Sequence, residues 1–128
     1  MPRMRSEGAL IEQWRSLLSS YNELAAHLER ALSERHGLTL SEFEILDRLS
    51  TQQCEKRRMQ DLASDMYLSQ SALSRAVARL ERHGFVARAL CEEDRRGVFV
   101  NLTEEGLARH TAARGTHLAI LAEHLQPA

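Results

Sequence analysis

One predicted helix, over residues 70–83, carries side chains that can hydrogen-bond to the edges of DNA bases. Ser69 is its predicted N-cap, and Leu73, Val77 and Leu80 form its apolar face. Glutamine can pair with adenine and arginine with guanine through two hydrogen bonds each, whereas serine bonds to several bases. The polar side chains of the opposite face are Gln70, Ser71, Ser74, Arg75, Arg79 and Arg82. That face has the chemistry that reading a base sequence requires.

The elements predicted around this helix have the order of a winged helix-turn-helix. A short helix over residues 59–66 and a turn at Tyr67-Leu68 precede it. Two β-rich runs, residues 85–90 and 97–102, lie on either side of the charged segment 91–96, which predicts a hairpin. In such an arrangement the helix enters the DNA major groove, and the hairpin tip reaches the backbone or the minor groove.

A long helix is predicted over residues 7–36, and its apolar face is too wide for a single neighbour. Its main apolar stripe runs from Leu10 to Ala31 in alternating steps of three and four, beside a second stripe at intervals of seven. Half of this face can cover the domain while the other half meets a partner subunit; an ordinary core helix is the alternative. Gly37 is suited to end the helix in the left-handed conformation.

Two further helices follow from their N-terminal signals. Thr39 and Glu42 form a capping box that opens a short helix. Thr103 is the predicted cap of a last helix, and Glu104 and Glu105 lie in its first turn, where the helix dipole favours acidic residues. The polar residues Ser50 to Arg58, between the helix opened by Thr39 and the residue 59–66 helix, predict a loop.

The charge of the chain is unevenly distributed. The 128 residues are 43% hydrophobic, as in a soluble globular domain, with a net charge of −1. Residues 56–101 hold nine basic and six acidic residues, whereas residues 1–55 have a net charge of −3 and residues 102–128 of −1. A basic centre suits phosphate contacts, although an excess of this size also fits a solvated surface. Aromatic residues, at 5%, are too few for a platform that stacks single-stranded bases.

Other classes of function have little support in the sequence. There is no nucleophile elbow, P-loop or zincin motif, so we expect no enzyme activity and no cofactor. His110, His117 and His124 recur every seven residues, about 10.5 Å apart on a helix, which is too far for one zinc ion. We therefore expect no metal, and we expect surface or interface histidines. The start MPRMRSEG and the lack of a long apolar run predict a cytoplasmic, nucleoid-associated protein without a membrane partner.

The segments LSQSALSRAVARLERHGFV and EEDRRGVFVNLTEEG resemble the multiple-antibiotic-resistance regulator (MarR) family of bacterial transcription factors. The resemblance spans roughly residues 8–123, and the wing pattern Asp94-x-Arg96-Gly97 is its more specific part. It implies that Gln70, Ser71, Ser74 and Arg75 read bases and that Arg79 contacts phosphate. It also implies that Arg96, held by Asp94, enters the minor groove, with Arg95 on phosphate or sharing that role.

The same resemblance implies the assembly of the protein. It predicts one domain over residues 1–128, mostly α with a small β-hairpin wing (α+β). A winged helix-turn-helix core at residues 38–103 would be flanked by dimerisation helices at residues 7–36 and 104–125. The predicted dimer contacts are Leu10, Trp14, Leu17, Tyr21, Leu118, Leu121 and Leu125.

The partners implied are a second copy of the chain, a palindromic operator in double-stranded DNA and a small aromatic effector that releases a repressor. An effector pocket would lie between the first helix, the residue 39–50 helix and the wing-bearing domain, with Trp14, His36 and Phe43 as candidate lining residues. Family members usually continue past the position of Gln126 into a further helix. We therefore expect a smaller dimer interface, built mainly from residues 7–36 and 107–125.

Two alternatives remain open. One is a winged-helix protein-interaction module without DNA binding, which the slight net acidity favours. The other is a regulator that senses oxidation. Cys54 precedes a basic run that favours a thiolate, whereas Cys91 precedes an acidic run that disfavours one. Peroxide-sensing members of the family carry the reactive cysteine in the first long helix, where this chain has none.

Overall fold

Five helices and three short strands make up the part of the chain that the structure, a computed structural model, describes: residues 6–50, 57–90 and 98–125. In chain order the elements are α1 (Glu7–His36), α2 (Leu40–Ser50), β1 (Arg57–Arg58), α3 (Met59–Met66), α4 (Gln70–Arg82), β2 (Val86–Leu90), β3 (Val98–Leu102) and α5 (Glu104–His124).

The long helix α1 is buried only near its C-terminal end. Ser6 caps its start by accepting a 3.1 Å hydrogen bond from the Ala9 amide, and Gly37 ends it with a φ of +67°. Its buried residues are Leu28, Ala31 and Leu32, all in the last three turns. The first half of the helix therefore extends away from the core of the chain.

Helices α2, α3 and α4 enclose the hydrophobic core. The capping box at the start of α2 is formed as predicted, because the Thr39 amide donates to Glu42 Oε1 at 2.8 Å and the Glu42 amide to Thr39 Oγ1 at 3.0 Å. The largest side chains with no or almost no exposed surface come from every part of this core: Leu32, Leu38, Phe43, Ile45, Leu46, Leu62, Leu73, Val77, Leu80 and Val100. Because Leu73, Val77 and Leu80 of α4 are buried in this core, the polar side of the helix is directed outward.

The sheet has three strands in the order β1-β3-β2, all antiparallel. Strands β2 and β3 form the predicted hairpin, in register from Val86↔Leu102 to Leu90↔Val98. The prediction of a loop up to Arg58 was wrong at its end, since Arg57 and Arg58 pair with Val100 and Phe99. Two residues are too few to show the alternation that marks a strand. The winged α+β fold class is confirmed.

Helix α5 is fixed to the hairpin at its first turn and to α2 further along. Thr103 Oγ1 donates to the Gly84 carbonyl at 2.6 Å and accepts from the Gly106 amide at 3.0 Å. His110 is buried and its Nε2 lies 2.8 Å from Asp47 Oδ1. The expectation of a surface or interface histidine was therefore wrong for His110, which connects α5 to α2 within one chain.

None of the helices in residues 6–50, 57–90 and 98–125 combines the length and apolarity needed to cross a membrane.

Candidate nucleic-acid interface

The start of α4 presents exposed polar side chains on a capped helix. Ser69 caps the helix by accepting a 3.1 Å hydrogen bond from the Ala72 amide, and its hydroxyl lies 3.3 Å from that of Ser71. Gln70, Ser71 and Arg75 are exposed and Ser74 is partly buried. The four residues predicted to read bases therefore lie together at one end of a helix whose opposite face is buried in the core. A fixed helix of this kind can present the same hydrogen-bonding groups to each DNA site.

Arg79 lies one turn further along α4 and has a partner within the chain. Its Nε is 4.0 Å from Glu42 Oε2, and Glu42 is almost fully buried as part of the α2 capping box. The arginine side chain is nevertheless 40% exposed. A guanidinium has five N–H donors, so one contact with Glu42 is compatible with a further contact to phosphate. The sequence did not indicate the Glu42 contact, because the two residues are far apart along the chain.

Arg88, which the sequence did not single out, fixes the root of the wing against α4. Its Nη2 donates to the Ser74 carbonyl at 3.3 Å, and its Nε lies 3.4 Å from Glu81 Oε1. Arg88 stands on β2 between the first and last residues of that strand. These contacts set the angle between the hairpin and the helix, and hence where the wing lies relative to α4.

The predicted wing residues Asp94, Arg95 and Arg96 lie outside the described residues, as do Cys54 and Cys91. The strands on either side of this segment are described, and Leu90 and Val98 are the paired residues nearest to it. The described part of the hairpin lies beside α4 through the contacts of Arg88.

The side chains predicted to contact a second subunit are largely exposed in the single chain. The exposed fractions are 59% for Trp14, 61% for Leu17 and 67% for Tyr21. The same half of α1 also exposes Ile11 and Leu18, which were not predicted contacts. Of the other predicted contacts, Leu121 is partly buried, and those with about half their surface exposed are Leu10, Leu118 and Leu125. Together they form an apolar face over the first half of α1 and the outer side of α5.

A cavity of about 290 Å³ lies between α1, α2 and the turn from α3 to α4. The three candidate lining residues are not among the walls of this cavity: Phe43 is fully buried in the core, and His36 bonds to Thr116 at 2.8 Å. Trp14 is on the exposed half of α1. The cavity walls include Tyr21, Leu24, Leu28, Leu40, Glu44, Arg48, Met66, Tyr67 and Leu68. It touches both the long helix and the helix-turn-helix.

The histidines of α5 face their neighbours in the chain. The His117 ring lies 4.5 Å from the Phe43 ring, and the His124 ring lies 4.4 Å from that of His27. Within the part of the chain that the structure describes, no three His, Cys, Asp or Glu side chains are grouped so as to hold a metal ion. These rings pack α5 against α1 and α2.

Comparison with known proteins identifies this arrangement. The profile of the MarR family matches residues 38–98, which include α2, α3, α4 and the start of the hairpin. AbsC, a MarR family transcriptional regulator from Streptomyces coelicolor, is 35% identical with a TM-score of 0.84, over 97% of this chain and 82% of AbsC. The chain belongs to the MarR family. Proteins of this family are DNA-binding regulators of transcription, a class distinct from enzymes.

Two further relatives show the extent of the similarity. Sco3205 from Streptomyces coelicolor, whose crystal structure is in complex with DNA, is 31% identical with a TM-score of 0.86, over 98% of this chain and 78% of that one. YkoM, an uncharacterized HTH-type transcriptional regulator of Bacillus subtilis, is 29% identical over 93 residues. The chain spans 58% of the length of YkoM.

Proposed function

We propose that this MarR-family protein is a dimeric repressor that binds a palindromic operator in double-stranded DNA. The observation that carries the proposal is the outward face at the start of α4, where Gln70, Ser71 and Arg75 are exposed on a capped helix with a buried opposite side. A helix with this placement can enter a major groove and donate to base edges without rearranging. The DNA complex of Sco3205 supports the same use of the fold.

The side chains divide by the part of DNA that each would contact. Arg75 would bond to guanine and Gln70 to adenine, with Ser71 and Ser74 on either bases or phosphates. Arg79 would contact phosphate while keeping its Glu42 partner. In the wing, Arg96 would enter the minor groove next to Asp94, and Arg95 would contact the backbone. Contacts with base edges select a sequence, whereas contacts with phosphates hold the protein in register on the DNA.

A second copy of the chain would cover the exposed face of α1 and α5. Trp14, Leu17 and Tyr21 are each more than half exposed, and an apolar surface of this extent is unusual for a monomer. A groove of about 520 Å³ between α1 and the end of α5, lined in part by Leu17, Tyr21, Leu24 and Leu125, could receive a partner helix. Two-fold symmetry of the dimer would then give the operator its palindrome, with half-sites about 10 bp apart.

A small aromatic molecule in the 290 Å³ cavity would release the DNA. The cavity wall joins α1, which would belong to the dimer interface, to Met66, Tyr67 and Leu68, which precede α4. An occupant that fits one distance between these elements better than another would change the separation of the two reading helices. The molecule would weaken DNA binding by a coupling energy, and bound DNA would weaken the binding of the molecule by the same amount.

Repression would follow from the size of the complex. A dimer that covers two successive helical turns of a promoter blocks access of RNA polymerase to that DNA, so occupancy of the operator alone is sufficient for repression. In a reporter strain, we expect expression of the wild type to lower transcription from a promoter that contains the selected operator, whereas a regulator that activates would raise it.

Selection from a random double-stranded DNA library at two salt concentrations tests the proposal. We expect the wild type to enrich a palindrome, with affinity falling steeply at the higher salt because phosphate contacts release counterions. The double variant Arg75→Ala/Arg96→Ala should lose the selected site. A control variant with the same change in charge, Arg30→Ala/Arg114→Ala, alters exposed residues of α1 and α5 and should retain it.

The other outcomes each identify a competing function. Absent or salt-insensitive binding would reject a DNA regulator and favour a module that binds proteins. Enrichment of a single half-site would reject the dimer while keeping DNA recognition. Binding that is lost on oxidation, and retained in a variant without Cys54 and Cys91, would indicate redox control in place of an aromatic effector.

A further inference from the structure

The turn between α3 and α4 contains a tyrosine in a backbone conformation that, elsewhere among the described residues, is held by glycine. Helices α1 and α4 are followed by Gly37 and Gly84, with φ values of +67° and +78°. Tyr67 follows α3 with a φ of +56°, and the hydrogen bonds at this turn have the same spacing as those at the end of α4. Its amide donates to the Ser64 carbonyl at 3.3 Å, and the next amide donates to the Ala63 carbonyl at 3.1 Å. Helices α3 and α4 therefore end in the same cap, a Schellman motif, since at the end of α4 the Gly84 amide donates to the Glu81 carbonyl and the Phe85 amide to the Leu80 carbonyl.

A tyrosine at this position lowers the stability of the fold. In the left-handed region a Cβ lies too close to the following carbonyl, and the cost corresponds to about a five- to thirty-fold lower folding constant. Burial of the ring does not offset it, because Tyr67 is 95% exposed. A strained residue that contributes little to packing is a candidate for a role in binding.

The position of Tyr67 suits a contact at the edge of the major groove. It lies two residues before the N-cap Ser69 and three before Gln70, which places its Cα at most about 11 Å from that of Gln70. The major groove is about 12 Å wide. When the first turn of α4 is at the base edges, the preceding turn is near the phosphates that border the groove.

We propose that Tyr67 contacts DNA, with its phenol hydroxyl donating a hydrogen bond to a backbone phosphate beside α4. The inference rests on the proposed DNA-binding function. Tyrosine is among the residues that make such phosphate contacts, which fix the register of the protein without selecting a base. The neutral hydroxyl replaces no counterion, so its contribution is independent of salt concentration.

Two substitutions separate the hydroxyl from the backbone strain. Tyr67→Phe keeps the ring and removes the donor, and we expect about a tenfold loss of affinity for duplex DNA. The loss should be equal for operator and unrelated duplexes, with the slope of log K against log salt unchanged. Arg75→Ala, by contrast, should lose sequence preference. Tyr67→Gly should lose at least as much affinity, while its urea midpoint should equal or exceed that of the wild type because the strain is relieved.

The results separate this inference from the function on which it rests. If the wild type binds no DNA, the proposed function fails, and the inference fails with it. If the wild type binds and Tyr67→Phe binds equally well, only the phosphate contact is rejected. A lower urea midpoint for Tyr67→Gly would show that Tyr67 supports the fold, which contradicts the strain argument. A loss restricted to the operator would replace the phosphate contact with a base contact and overturn the inference.

Discussion

Replacing Gly106 with alanine should separate α5 from the winged helix. An alanine Cβ at this position would overlap the Phe85 carbonyl oxygen and lie 2.9 Å from Leu102 Cδ1. The carbonyl cannot move away freely, because it also accepts a 3.1 Å hydrogen bond from the Thr103 amide. The overlap can therefore be relieved only if the first turn of α5 shifts.

The magnitude follows from what that shift breaks. Two hydrogen bonds hold the junction, from the Thr103 amide to Phe85 and from Thr103 Oγ1 to Gly84, and each contributes about 1 kcal/mol. Overpacking of the neighbouring core costs about 1–3 kcal/mol more. We expect Gly106→Ala to lower the free energy of unfolding by about 3–5 kcal/mol, a decrease of about 1–3 M in the urea midpoint.

Urea denaturation followed by circular dichroism, at one fixed protein concentration, measures the change. Gly8→Ala is the matched control, since Gly8 is also in the first turn of a helix and an added Cβ would meet nothing within 4 Å. We expect the control to be neutral or more stable by up to about 1 kcal/mol. A Gly106→Ala protein within about 0.5 kcal/mol of the wild type would show that α5 does not dock on Phe85, and would refute the reasoning.

Three further perturbations test other parts of the structure. Ser69→Ala removes the α4 cap and should lower the free energy of unfolding by about 1 kcal/mol in the same urea assay; an unchanged midpoint would contradict the cap. Asp47→Ala removes the 2.8 Å partner of the buried His110 Nε2, which keeps only a 3.4 Å contact with Ser50 Oγ, and should lower the free energy of unfolding by about 1 kcal/mol in thermal or urea melts; a neutral result would mean that the pair does not join α5 to α2. Trp14→Glu with Leu17→Glu places charges on the exposed face and should give a folded monomer in sedimentation equilibrium; a variant that still dimerises would place the interface elsewhere.

Most of the helical framework could be predicted because its signals are local. Glycines, capping residues and apolar periodicity lie within a few residues of the boundaries that they determine, as at Gly37 and Ser69. Strand β1 could not be predicted, since two residues show no periodicity and their pairing with β3 depends on the tertiary fold. The left-handed Tyr67 was equally hidden, because a tyrosine in a turn gives no indication of a glycine-like conformation.

The candidate site was predictable in its residue types and less so in its contacts. The polar face of α4 follows from helical spacing, so Gln70 and Arg75 could be placed on one side from the sequence. The contacts of Arg79 with Glu42 and of His110 with Asp47 join residues 37 and 63 positions apart, and no local pattern indicates them. The cavity has the same origin, since three separate elements form its walls.

The central claim is that two copies of α4 read one operator. Its most direct test inserts about 5 bp, half a helical turn, between the half-sites of the selected palindrome and measures the affinity of the protein for the lengthened site. A fixed dimer can then no longer place both helices in the major groove on the same side of the duplex. We predict that affinity falls to the level of unrelated DNA in a fluorescence anisotropy titration at constant salt. Equal affinity for the original and the lengthened operator would contradict a dimer that reads both half-sites.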